Sequence, residues 1–225
     1  MRINADFDRR VLLHADEIDW IASPMPGVDR RPLDRIGGEV ARATSIVRYA
    51  PGSRFSEHVH DGGEEFLVLE GVFQDQYGDF PAGTYVRNPP TTRHAPASES
   101  GCTILVKLRQ FDPDDRRQMR ADMTAEGEPD PQRPGVSVLP LHEDDRERVR
   151  VETLASGVAT RIPATGGGEL FLLEGSATDS GDPLRRHSWV RVPEGGAFDL
   201  VAGPEGARLW IKTGHLRFVA APDAA

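Results

Sequence analysis

One strand of this chain is written twice. GGEEFLVLEG fills residues 62–71 and GGGELFLLEG fills 166–175, so Glu174 lies 104 residues after Glu70. The same offset lays WVRVP (189–193) on YVRNP (85–89). ARLWIK (207–212) then follows TILVK (103–107) with one extra residue. VLPLHEDD (138–145) also echoes VLLHADE (11–17). A repeat on this scale commits the chain to two copies of one structural unit. The repeated words are short, apolar and rich in β-branched residues. Turn residues separate them, with 23 glycines and 18 prolines in 225 residues, which favours strands over long helices.

The first copy reads as a succession of strands. ARATSIVRYAPG (41–52) is a strand ending in a Pro-Gly turn, and RFSEHVH (54–60) is the next. EFLVLEG (65–71), TYVRNP (84–89) and CTILVKL (102–108) follow, with a hairpin over 72–83. The Pro-rich stretch 23–35 is extended, because proline biases its predecessor away from helix. Composition shifts at FDPDDRRQMRADMTAEGEPDPQRPG (111–135), which is charged and poor in large apolar residues. Asp112 before Pro113 suits the cap of one short helix, and the remainder reads as a solvated linker. The expected organisation is an N-terminal domain over 1–110, a linker over 111–135 and a C-terminal domain over 136–225. Both domains are all-β sandwiches or barrels.

Composition excludes several functions. At 38% hydrophobic and 28% charged residues the chain can bury a core. A formal charge of −9, with basic residues dispersed, offers no footprint for nucleic acid. The N-terminus MRINADFDRR has no apolar run, and no window nears the roughly 20 apolar residues of a membrane span. The single cysteine, Cys102, lies in an apolar strand and reads as a core residue in a reducing, cytoplasmic setting.

The chemistry concentrates in HVHDGGEE (58–65). In a strand, residues i and i+2 share a face, so His58 and His60 project together. Paired imidazoles with a carboxylate suit first-row metals. Asp61-Gly62-Gly63 turns the chain so that Glu64 or Glu65 comes back towards the histidines. His94, past the double proline at 89–90, is the candidate fourth donor, although neither spacing nor parity fixes it. An isolated HxH is also compatible with histidines that are merely hydrogen-bonded. His14, His142, His187 and His215 have no carboxylate or histidine at ligand spacing and read as structural.

These residues resemble the two cupin motifs. The first is carried by Gly52, His58, His60, Glu64 and Gly71, and the second by Gly83, Pro89, Thr91 and His94. Thr91 stands where that pattern usually has glycine. The resemblance implies tandem cupin domains of the double-stranded β-helix (jelly-roll) type, a bicupin. It also implies a three-histidine, one-glutamate metal centre formed by His58, His60, Glu64 and His94. Glu64, and not Glu65, keeps the six-residue spacing to Gly71. With Glu64 facing the lumen, Phe66 and Val68 line the pocket and Glu65 and Leu67 face out. Arg54, Tyr85 and Gln74 are the candidates for supporting contacts.

A closer resemblance runs from Gly27 to Pro96 and through the tail EGARLWIKTGHL (205–216). These stretches look like the cupin domain of the ChrR family. Members of that family include anti-sigma factors with a zinc-binding helical domain ahead of the cupin. Residues 1–40 hold one histidine, His14, and no cysteine, so a sigma factor is not the expected partner. The resemblance implies one divalent transition metal, with Zn or Fe(II) ahead of Mn or Ni, serving small-molecule binding or sensing. Related stand-alone cupins resemble dioxygenases that cleave a C–C bond of β-diketones or hydroxyaryl ketones. Cupins pair through edge strands, which leaves a homodimer open.

In the second copy the offset of 104 replaces His58 with Ile162, His60 with Ala164, Glu64 with Gly168 and His94 with Phe198. The C-terminal copy is therefore expected to hold no metal. It serves as a packing partner, or as an apolar ligand pocket lined by Ile162, Phe171 and Phe198.

Overall fold

The computed structural model describes residues 1–38 and 40–220. Those residues form β-strands and two short 3-10 turns, Ala15–Glu17 and His215–Phe218, with no α-helix. No helix among them is long and apolar enough to cross a membrane. The chain divides into two compact units. The first takes Met1–Ala5 and Ile18–Thr124, and the second takes Asp6–Glu17 and Ala125–Val219.

The first unit is an antiparallel sheet in the order Arg2–Ile3, Val28–Gly37, Ala41–Tyr49, Cys102–Leu108, Glu64–Asp75, Thr84–Asn88, Met119–Asp122. The second repeats that order with Glu128–Pro129, Val136–Glu143, Arg148–Leu154, Gly196–Thr213, Gly168–Asp179, Ser188–Val192 and Val11–His14. In the first unit, Phe66, Val68, Phe73, Phe80, Val86, Cys102 and Ile104 make one buried core. In the second, Leu170, Leu172, Val190, Val192, Leu209 and Ile211 belong to the corresponding one. The period-2 alternation of each strand assigns these faces. Glu64, Phe66 and Val68 share one face, and Glu65 and Leu67 take the other. Glu65 and Leu67 do not face solvent as expected, since each is 1% exposed.

Three expectations change. VLLH (11–14) is not the counterpart of VLPLHEDD. It pairs with Ser188–Val192 as the edge strand of the second unit, as Met119–Asp122 pairs with Thr84–Asn88 in the first. The counterpart of Val136–Glu143 is Val28–Gly37, each lying next to its unit's Arg148–Leu154 or Ala41–Tyr49 strand. Arg10 fastens the edge strand through ion pairs to Asp179 (2.9 Å) and Asp182 (2.7 Å). Second, the segment 111–135 is divided between the units. Met123 is buried, and Asp115 accepts a hydrogen bond from Arg87 at 3.1 Å. Asp112 caps a turn, accepting from the amide of Asp114, and no helix follows. Third, 54–60 is not one strand but two fragments, Ser53–Arg54 and His58–Val59.

The repeated ending LEG has a backbone cause. The register slips at Leu69 in the first unit and at Leu173 in the second, leaving a β-bulge at the same place in both. Gly71 and Gly175 complete the bulge with φ of 71° and 76°. A Cβ on Gly71 would lie 2.1 Å from the carbonyl oxygen of Gly101, and one on Gly175 would lie 2.2 Å from that of Gly206. Only glycine fits there. We expect Gly71→Ala or Gly175→Ala to destabilise the chain by about 2–4 kcal/mol, combining left-handed strain with backbone overlap. Gly157→Ala, at φ 71° with open space around it, should cost only about 1 kcal/mol. Urea unfolding of the three variants measures the difference.

Candidate metal centre

The four side chains expected at the centre converge. The ligand-type atoms of His58, His60, Glu64 and His94 all lie within 4.8 Å of one another. His60 Nε2 is 3.4 Å from Glu64 Oε2, and His94 Nε2 is 3.3 Å from the same oxygen. Two donors held about 2.1 Å from one ion, at tetrahedral or octahedral angles, sit about 3.0–3.4 Å apart. His60, Glu64 and His94 are buried, whereas His58 is exposed and marks the open side. Local structure explains the convergence. Arg93–His94 pairs with His58–Val59, and that register sets His94 directly across from His58. The amide of His60 donates to Thr92 O (2.9 Å) and that of Thr91 to His60 O (3.0 Å), clamping the two segments.

The protons on these rings follow from their other contacts. His58 Nδ1 lies 3.3 Å from the carbonyl of Ser56, which can only accept. His94 Nδ1 lies 3.3 Å from Asp75 Oδ2. Thr92 gives its hydroxyl proton to Pro89 O at 2.7 Å, so it accepts from His60 Nδ1 at 3.0 Å. In each neutral ring the proton therefore sits on Nδ1, and Nε2 presents a lone pair. His60 Nε2, His94 Nε2 and Glu64 Oε2 are buried without a hydrogen-bond partner. Burial pushes His60 down from its ordinary 6.5 to about 4, against the opposing pull of Glu64, so protonation does not relieve the crowding near neutral pH. Facing lone pairs inside a protein repel unless a cation lies among them. The donor set fits a first-row divalent ion.

Asp75, Thr92 and Ser56 escaped the sequence reading. Asp75 ends its strand 19 residues before His94, so no local spacing links the two, and its side chain is 3% exposed. The residues expected to support the site lie elsewhere. Tyr85 is on the opposite face of the sheet and donates to Glu65 Oε1 at 2.6 Å. Gln74 is engaged with Asp79 and the amide of Glu99. Arg54 is exposed, in register with Ala97. Phe66 and Val68 do face inward but, at 1% exposure each, are packed core rather than open pocket wall. Phe66 meets Phe73 with the rings tilted, 4.6 Å apart, and the Phe73 ring lies 5.6 Å from that of His94.

The second unit shows what the same frame does without donors. Ile162 pairs with Phe198 as His58 pairs with His94. Ile162, Ala164 and Phe198 are buried in the core. A Cβ on Gly168 would meet Phe198 Cε2 at 3.0 Å and Ala164 Cβ at 3.1 Å, so the Phe198 ring fills the place where donors would meet. The apolar pocket expected there is closed. Phe171 lies on the other face, stacked on His187 at 5.5 Å.

Residues 8–112 match the family described as the ChrR Cupin-like domain. No curated protein matches the chain. Among solved structures, a protein of Nostoc punctiforme PCC 73102, provisionally described as a dioxygenase, is similar over 97% of this chain and 87% of its own, at 15% identity and a TM-score of 0.76. The Escherichia coli pirin YhhW, solved in complex with nickel(II), matches over 92% of this chain and 99% of its own, at 15% identity and a TM-score of 0.67. A salicylate 1,2-dioxygenase of Pseudaminobacter salicylatoxidans matches over 76% and 70%, at 13% identity and a TM-score of 0.60. At these identities the likeness is one of fold.

Two measurements follow. Thr91 holds a left-handed φ of 78°, a strained conformation for a β-branched residue. Thr91→Gly should stabilise the chain by about 1 kcal/mol in urea unfolding, with the ligand set unchanged. In metal-free protein, His60 binds its proton more weakly folded than unfolded. Its contribution is present above pH 6.5 and is lost as pH falls towards 4, because the unfolded chain then holds the extra proton. The unfolding free energy should fall across that window, and less steeply in His60→Gln.

Proposed function

We propose that this chain, whose residues 8–112 make it a ChrR cupin-like protein, is a bicupin that binds one divalent metal ion through His58, His60, Glu64 and His94 for small-molecule binding or sensing. The observation that carries the reading is the set of three buried acceptor atoms without a hydrogen-bond partner, with Nδ1 of His58, His60 and His94 already engaged. Asp75 and Thr92 hold the rings of His94 and His60 in the tautomer that binds metal. The exposed edge at His58 is where a ligand would reach the centre. The second unit, plugged by Phe198, supplies no donors. When bound, the ion supplies Lewis acidity and a template for a chelating oxygen ligand.

A second reading is an Fe(II)-dependent dioxygenase that cleaves a C–C bond of a β-diketone or hydroxyaryl ketone. The open side at His58 and the fold shared with dioxygenases favour it. Zinc has no redox chemistry and would restrict the protein to binding. The ligand set suits Zn, Fe(II), Mn and Ni alike.

Anaerobically purified protein should carry one divalent ion per chain by elemental analysis. His60→Ala or Glu64→Ala should abolish it. Asp75→Asn and Thr92→Val should weaken metal affinity about 10–100-fold in a chelator competition. Oxygen uptake with β-diketones or hydroxyaryl ketones after Fe(II) loading would support the enzyme. Zinc occupancy without uptake would leave only binding, and failure to take up any ion would overturn both readings.

A further inference from the structure

The interior of the second unit carries charge where the first carries none. Arg148–Leu154 is an unbroken ladder beside Gly196–Thr213, so Arg148, Arg150, Glu152 and Leu154 share a face. Leu154 belongs to the buried core, which marks that face as the inner one. The matching strand of the first unit is Ala41–Tyr49. Arg150 pairs with Ile211 as Ser45 pairs with Val106, and Glu152 pairs with Leu209 as Val47 pairs with Ile104. Ala43, Ser45, Val47 and Tyr49 are thus replaced by Arg148, Arg150, Glu152 and Leu154. The fold does not require these charges, because the sister unit builds the same strand from small and apolar residues. Burying Arg150 and Glu152 is costly, which points to a use.

They form a built site. Glu152, fully buried, accepts from Arg133 Nη1 at 2.7 Å and from Arg150 Nε at 2.6 Å. Arg150 is held in place by that bond, and its Nη1 is buried with no hydrogen-bond partner. Arg150 also lines a cleft of about 1110 Å³, together with Arg148, Val138, Pro140 and Ile162. Three of the carboxylates on the rim are already engaged. Glu143 is bound by Arg148, Asp144 by His142 and Asp130 by Arg133.

We propose that this cleft is a second, metal-independent binding site, taking a small monocarboxylate with an apolar body. The carboxylate would accept from the Arg150 guanidinium, a charge-assisted bond, and the body would lie against Val138 and Pro140. A carboxylate with an apolar body suits the cleft better than phosphate, which would leave Val138 and Pro140 uncovered.

The test is calorimetric titration of the full chain, stripped of metal with a chelator so that the N-terminal centre cannot hold a carboxylate. Benzoate should bind at one site in the millimolar range. Its neutral analogue benzyl alcohol and inorganic phosphate should bind more weakly. Arg150→Gln should weaken benzoate about tenfold or more. Pro140→Glu, at an exposed wall position, should weaken it too while leaving the interior charges untouched. Unchanged affinity in a folded Arg150→Gln or Pro140→Glu chain would overturn the proposal. So would phosphate binding tighter than benzoate, or no benzoate binding to the parent chain.

Discussion

Four electron-pair donors facing one point constrain the first unit more than any other contact. The side chains of His60, Glu64 and His94 are brought together out of water, with no proton placed between them. Arrangements like this are costly without a cation. The surroundings are organised around it. Ser56, Thr92 and Asp75 each take an Nδ1 proton, the clamp between His60 and Thr91–Thr92 sets the reach, and Thr91 is held at a left-handed φ beside it.

Setting the two units side by side separates scaffold from chemistry. Strand order, bulge and glycine are common to both, so LEG belongs to the fold. The polar interior is not common. The first unit puts its inward-facing donors on Glu64–Asp75 and the short His58 and His94 strands. The second fills those positions with Ile162, Ala164 and Phe198 and moves charge to Arg148–Leu154. Asp75 and Asp179 show the same divergence within one retained residue. The first turns to His94, and the second turns to Arg10 and the amide of Asp199.

Much of this was legible in the sequence, and the remainder has physical reasons for being hidden. The repeat announced two units, and the resemblance to the cupin motifs brought the four side chains together on paper. The motif spacing to Gly71 favoured Glu64 over Glu65, and Glu64 is the one that lies beside His60 and His94, although no spacing could show that Glu65 and Leu67 are buried as well. The edge strand Val11–His14 was misread because a four-residue strand pairs with whichever edge lies nearest in space, which spacing does not encode. Asp75 and Thr92 were invisible for a related reason. They act through contacts closed by folding, and no local pattern distinguishes an aspartate that ends a strand from one that orients a ring. Arg150 looked like one of many dispersed charges until its register placed it inside.

The short ladder at the metal centre has a thermodynamic consequence. His58–Val59 and Arg93–His94 share only two register pairs, whereas their counterparts, Ala159–Ala164 and the bent end of Gly196–Thr213, share six. The second unit closes that corner with a long ladder and a phenyl ring, and in the proposed metal-binding reading the first would leave that work to coordination. An ion bound there as proposed would tighten this short ladder as well as satisfy donors, and part of its binding free energy would go into order. Apparent metal affinity is thereby tied to backbone stability, so substitutions that merely stiffen residues 56–62 or 91–95 act as affinity mutations without touching a ligand.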